Sequence, residues 1–173
     1  MRYKAIPILI FLFLSPLLTP AYAQPQIGEK APGFTTSTLD GKRIALKDYW
    51  EQQEKKVLVL SFFATWCHPC KEDLPYLQKI QDQYGGPGLQ VLCVLTLDPS
   101  EEGAVRKFMQ KLGVKFAVLM DEHGIIAKRY AVTGLLCNFV IDKEGILRAK
   151  YLGYSEDVKA HFESQVKNLL SSP

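Results

Sequence analysis

The chain has 173 residues, of which 47% are hydrophobic and 23% charged, and its formal net charge is +3. This suits one domain with a sizeable apolar core, and no basic run stands out of the kind nucleic-acid binding needs. Four cysteines are too few for a disulfide-built scaffold, so the core must come from apolar packing.

Residues 1–23 read as a cleaved signal peptide. Arg2 and Lys4 form the positive region, residues 6–18 the apolar stretch, and Ala21-Tyr22-Ala23 a small-x-small cut before Gln24. A membrane span is the competing reading, with retention through the uncut segment as its consequence. Pro7 and Pro16 interrupt the stretch, whereas a span needs about 20 continuous apolar residues. Gln24, not a cysteine, stands directly after the cut, so a lipid has no acceptor there. Losing Arg2 and Lys4 lowers the net charge from +3 to +1. All four cysteines lie in residues 24–173, the expected single domain, and export would place them where disulfides persist.

Residues 24–33 read as an extended lead-in. Residues 34–39 and 42–46 flank Asp40-Gly41 as a small hairpin, and residues 46–50 suggest a short helix. Residues 57–63 (VLVLSFF) have the unbroken apolar character of a central strand buried on both faces. A helix to about Tyr84 follows, with Leu74, Leu77, Ile80 and Tyr84 on its buried side and Pro75 as an expected kink. Gly85-Gly86-Pro87-Gly88 stops it. Residues 89–97 predict another buried strand. Asp98-Pro99-Ser100-Glu101 predicts a helix start with Asp98 as N-cap, Val105, Phe108, Met109 and Leu112 inward, and Gly113 as the stop. Residues 116–120 predict a strand, 125–130 a short helix, and 137–141 with 146–152 a hairpin around Asp142-Lys143-Glu144-Gly145. Residues 155–170 close the chain as an amphipathic helix, with Val158, Phe162, Val166 and Leu169 inward. Alternating strands and helices followed by a hairpin and a helix predict a three-layer α/β domain with a mixed sheet.

Cys67-His68-Pro69-Cys70 sits where the central strand ends and the helix opens. Two cysteines at this spacing can close a small disulfide. A helix start offers the first sulfur unpaired N–H groups and a positive dipole end, which favour the reactive thiolate. A zinc site has little support, since there is no second CxxC and no Cys/His pair at finger spacing. Cys93 lies in an apolar run and reads as core. His123 and His161 suggest no role.

The segments Ala31-Pro32-Gly33-Phe34, Thr65-Trp66-Cys67-His68-Pro69-Cys70 and Asn138-Phe139-Val140-Ile141-Asp142, with Pro75 and Gly145, resemble the TlpA/ResA-type exported thiol–disulfide oxidoreductases of the thioredoxin superfamily. The resemblance covers essentially all of residues 24–173. It implies a thioredoxin-like α/β/α fold with an N-terminal hairpin extension, Cys67 as exposed nucleophile and Cys70 as buried resolving thiol. It further implies a soluble, monomeric periplasmic protein that acts on disulfides of envelope proteins, apocytochrome c among them, and is recharged by a membrane thiol donor. The Cys67–Cys70 disulfide would be the redox centre, with no separate cofactor and no metal.

Trp66, His68 and Pro69 complete the immediate surroundings of the sulfurs, and a positive His68 would favour the thiolate. One departure stands out. The family pattern Gly-x-Pro-Thr-x-Phe, with proline in cis beside the CxxC, here reads Gly134-Leu135-Leu136-Cys137-Asn138-Phe139. A non-proline cis bond costs about 3–4 kcal/mol, so Leu135–Leu136 is expected to be trans. Ser61 stands where some thioredoxins carry a buried proton-shuttling acid, which leaves Asp98 as the nearest acidic candidate besides its N-cap role. Cys137 reads either as a core cysteine or as a third active thiol, able to pair with Cys67 or join it on a soft metal such as Cu(I). A thiol-based copper carrier using Cys67, Cys70 and Cys137 is therefore the alternative to an oxidoreductase. A peroxiredoxin is disfavoured, because Leu60 and Ala64 replace the Pro and Thr/Ser that family places seven and three residues before its reactive cysteine.

Overall fold

The computed structural model describes residues 24–51, 56–86 and 88–172. The expected signal segment and Pro87 lie outside the described residues. No described helix is long and apolar enough to cross a membrane.

A five-stranded mixed sheet forms the centre. Its strands are β3 (Val57–Phe63), β4 (Leu89–Thr96), β5 (Ala117–Asp121), β6 (Cys137–Ile141) and β7 (Leu147–Leu152), in the order β5-β4-β3-β6-β7. β3 pairs parallel with β4 and antiparallel with β6, and every residue of β3 is buried, as its apolar run requires. A separate hairpin, β1 (Thr35–Ser37) with β2 (Arg43–Ala45), precedes the short helix α1 (Asp48–Glu51).

The alternation of side chains along each strand divides the core in two. On one face Val57, Val59 and Phe63 meet Leu74, Leu77 and Ile80 of α2 (Cys70–Tyr84), Val105 and Met109 of α3 (Glu102–Lys111), and Phe162 and Val166 of α5 (Glu156–Ser171). On the other, Leu58, Leu60 and Phe62 pack against Phe34, Ile44 and Leu46 and against Ile126, Ala127 and Tyr130 in and beside α4 (Ile125–Arg129). The predicted elements are present, including a helix that continues through Pro75.

The lead-in and the hairpin strand after it together reach from one side of the sheet to the other. The N–H of Gly28 donates to Leu147 (2.8 Å), that of Leu147 to Glu29 (2.9 Å), and that of Ala31 to Gly145 (2.9 Å), beside β7. At the opposite side the N–H of Leu39 donates to Val118 of β5 (2.8 Å), and Thr38 bridges Leu119. The β6–β7 turn is tight because Asp142 accepts from the N–H groups of Glu144 (2.9 Å) and Ile146 (2.8 Å). Gly145 there has φ +76, and a Cβ would lie 2.7 Å from the Trp50 ring, so only glycine fits.

One expected cap is displaced. Asp98 does not cap α3; Glu101 is the N-cap, and no side chain accepts from the first turn. β4 ends at Thr96, Leu97 turns back with φ +49, and Asp98 is drawn instead toward the end of β3. Ser155 does cap α5, accepting from the N–H of Val158 (3.2 Å).

Candidate active site

β3 delivers the chain to Ala64, and the N–H of Cys67 then donates to the Ala64 carbonyl (3.1 Å), closing a turn before α2 opens at Cys70. Pro69 is the helix N-cap, where the missing N–H costs nothing. The turn places Cys67 and Cys70 with their Cα atoms 5.4 Å apart, joined as a disulfide. Cys67 is 5% exposed and Cys70 1%. The expectation of an exposed nucleophile is therefore corrected. Cys67 is the more accessible of the two, but the closed disulfide is buried in the same core cluster as Leu74 and Leu136. Exposure belongs to the rim, where Trp66 is 62% and Leu97 63% accessible and His68 and Pro69 are exposed.

Asp98 braces that rim. Its carboxylate accepts from the Thr65 N–H and from the Ser100 N–H (2.8 Å), while the Thr65 and Ser100 hydroxyls lie 2.9 Å apart. Partial burial opposes its ionisation, but these hydrogen bonds outweigh it and hold the carboxyl below its ordinary range. That is the reverse of what a proton shuttle needs near neutral pH, so Asp98 positions the loop before Cys67 and does not suit the shuttle role.

Leu136 belongs to the core cluster of the disulfide, 4% exposed and with φ +66. There is no cis peptide bond among the described residues, and the expected trans loop is what the chain adopts. A leucine in the left-handed region costs about 1–2 kcal/mol. Its carbonyl accepts from the Gly153 N–H (3.0 Å), which helps to hold it there.

Cys137, the next residue, points the other way. It is fully buried in the opposite core cluster, beneath the sheet from Cys67 and Cys70, and burial pushes its thiol up to about 11. Its role as a third active thiol, or as a third ligand for a metal, is thus corrected by strand alternation: Cys137 shares the face of Phe139 and Ile141, opposite that of Val140, whose core cluster holds Cys67 and Cys70. No group of three or more metal-binding side chains occurs among the described residues.

Two residues that sequence reading missed complete the site. Asp73 lies one helical turn after Cys70, on the same buried side, and is 4% exposed. Asn138 is also 4% exposed, and its Nδ2 donates to Asp73 Oδ2 at 3.0 Å. The register aligns Cys93, Ser61 and Asn138 across β4, β3 and β6 on the face that α2 covers. Burial raises the Asp73 carboxyl to about 6, against the opposing pull of the Asn138 bond and the Lys159 charge. The signal was available: Asp73 falls in phase with Cys70, Leu77 and Ile80 on the apolar side of α2. Ser61 holds the place expected for a buried acid, and the helix supplies one above the same row of strands.

Comparison with known proteins agrees with this geometry. Residues 27–150 match the AhpC/TSA family. The chain is 34% identical over 145 residues to the thiol-disulfide oxidoreductase ResA of Bacillus anthracis, covering 83% of this chain and 79% of that protein. It is 33% identical over 140 residues to ResA of Geobacillus thermodenitrificans, covering 80% and 77%. A Chlorobium tepidum structure assigned to the thiol:disulfide interchange protein DsbE superposes with a TM-score of 0.76 at 28% identity, covering 86% of this chain and 100% of that one.

Proposed function

This chain belongs to the AhpC/TSA family of thioredoxin-like proteins and is a thiol–disulfide oxidoreductase, and on that premise we propose that it works as a disulfide reductant on exported proteins. Its substrates are cysteine pairs of envelope proteins, including the haem-binding cysteines of apocytochrome c, and a membrane thiol donor restores its dithiol. It acts as a periplasmic monomer, soluble once residues 1–23 are removed, with no cofactor beyond its own disulfide.

In the reducing direction the Cys67 thiolate attacks a substrate disulfide, forming a mixed disulfide and releasing one substrate thiolate. The Asp73 carboxylate takes the proton of the Cys70 thiol. Cys70 then attacks Cys67 Sγ, which closes the Cys67–Cys70 bond and releases the second substrate thiolate. A base whose proton affinity lies near working pH suits this transfer, and an acid raised to about 6 has that affinity. The observation that carries the reading is this buried carboxyl one turn from a disulfide at a helix start. Peroxide chemistry gains nothing from the family match, since Leu60 and Ala64 are fully buried apolar residues.

Thiol trapping across a glutathione series, with each cysteine mapped by mass spectrometry, tests the direction. A Cys67–Cys70 couple near or below about −230 mV is expected of a reductant; one near −120 mV would make the protein an oxidant and sink the reading.

A further inference from the structure

Asn138 Oδ1 is buried and has no hydrogen-bond partner among the described residues. The other end of the same amide is engaged: a carboxylate only accepts, so it is the nitrogen that faces Asp73 Oδ2, at 3.0 Å. A buried acceptor left unpaired costs about 1–3 kcal/mol. Its neighbour is a carboxyl that must gain and lose a proton in each catalytic cycle. A carboxylic acid and a primary amide can form two hydrogen bonds at once, N–H to carbonyl and O–H to amide oxygen.

We propose that Asn138 is a positioning residue that serves both protonation states of Asp73, its Nδ2 holding the carboxylate and its Oδ1 accepting from the carboxylic acid. When Cys70 gives up its proton, Asp73 receives it and the new O–H donates to Asn138 Oδ1. Cys70 thiolate attacks Cys67 Sγ of the mixed disulfide, the Cys67–Cys70 bond forms, and the partner cysteine leaves as thiolate. The proton stays inside the fold with a partner until Asp73 releases it, so no buried polar atom of the pair is orphaned while it is stored. The groups that act on Asp73 or feel its charge are Lys159 from α5, Cys93 from β4 and Tyr76 from its own helix. None of the three lies on β6, the strand that carries Asn138.

This inference rests on Asp73 as the base for Cys70, and the two fail separately. Carbon-13 and nitrogen-15 NMR of the oxidised protein, from pH 4 to pH 8, reads the pair directly. The Asn138 Cγ signal is expected to move with the same midpoint as Asp73 Cγ, and Asp73→Asn should flatten it. A flat Asn138 Cγ while Asp73 titrates, as a fixed water on Oδ1 would give, overturns the proposal and leaves the base intact. If Asp73 titrates only in the ordinary carboxylate range, the proposal also falls. If Asp73→Asn leaves the pH profile of disulfide exchange unchanged, the base reading fails, whatever the NMR shows. In exchange kinetics Asn138→Leu should move the midpoint upward by a few tenths of a pH unit, because the lost charge-assisted bond to the carboxylate is the stronger of the two. Asn138→Thr, whose hydroxyl can donate and accept, should restore most of that shift; the same shift in both variants counts against the amide's double role.

Discussion

On the face of the sheet covered by α2, α3 and α5, Asp73, Ser61, Asn138 and Cys93 are buried among apolar side chains. On the face covered by the lead-in, the hairpin and α4, the equivalent depth is filled by rings. Tyr130 lies 4.9 Å from Phe139 and 5.8 Å from Phe62, centroid to centroid, with Phe34 at 6.2 Å. Each face holds one free cysteine, Cys93 above and Cys137 below, and burial raises the thiol of both. Depth alone therefore does not make chemistry here. The reactive face pairs a disulfide with a titratable acid and an amide to hold it; on the aromatic face the buried acid, Asp121, is taken up by the N–H groups of Ile126 and Ala127 and the Thr96 hydroxyl.

The largest test of this contrast is cysteine replacement. Cys67→Ser should abolish turnover, and Cys70→Ser should stop it at the mixed disulfide, seen as a covalent adduct in non-reducing mass spectrometry. Cys137→Ala should leave the exchange rate unchanged and lower stability by about 1 kcal/mol through the small cavity it opens. A loss of exchange in Cys137→Ala would break the division between the faces.

Leu136→Pro comes next. It restores the residue usual in this family, yet φ +66 is far from the −65° that proline demands. The substitution should destabilise the protein by about 3 kcal/mol in urea unfolding, unless the loop rebuilds. Unchanged stability would mean that the loop beside the disulfide is far softer than the rest of its face.

Asp73→Asn follows, with a pH-dependent sign. The folded-state carboxyl is raised from 3.8 to about 6, so the fold binds this proton more tightly than the unfolded chain does. The resulting stability is present below about pH 4 and lost as pH rises through 6, a span worth about 3 kcal/mol. Asp73→Asn should therefore gain up to about 3 kcal/mol over wild type at pH 8 and little at pH 4, while slowing exchange. The smallest effect is expected on the other face. Tyr130 is fully buried and its hydroxyl has no partner among the described residues. Tyr130→Phe should leave stability unchanged or raise it by about 1 kcal/mol at every pH, with no effect on exchange.

Most of the fold is legible in periodicity. The run from Val57 to Phe63, the spacing of Leu74, Leu77 and Ile80, and the turn at Asp142 to Gly145 each fix an element locally. The disulfide was legible for the same reason, since its spacing and its place at a helix start are local facts. Cys137 was not, because the face a strand residue takes depends on the register of β6 against β3, which no local pattern reports. Asp98 was misplaced because the N–H groups of Thr65 and Ser100 drew it away from the helix it was expected to cap. Asn138 became meaningful only when β6 brought it under α2.

The lead-in has a consequence outside the active site. Outer strands of an open sheet present unpaired N–H and C=O groups, which invite other chains to add on. Here one continuous stretch, residues 28–39, meets the start of β7 at one end and the flank of β5 at the other. It works as a selvage, catching a corner of each border of the sheet with the same thread. A protein shortened to begin after residue 39 would keep every cysteine and every catalytic contact described above. It should nonetheless self-associate at concentrations where the longer chain stays dispersed, which light scattering can follow.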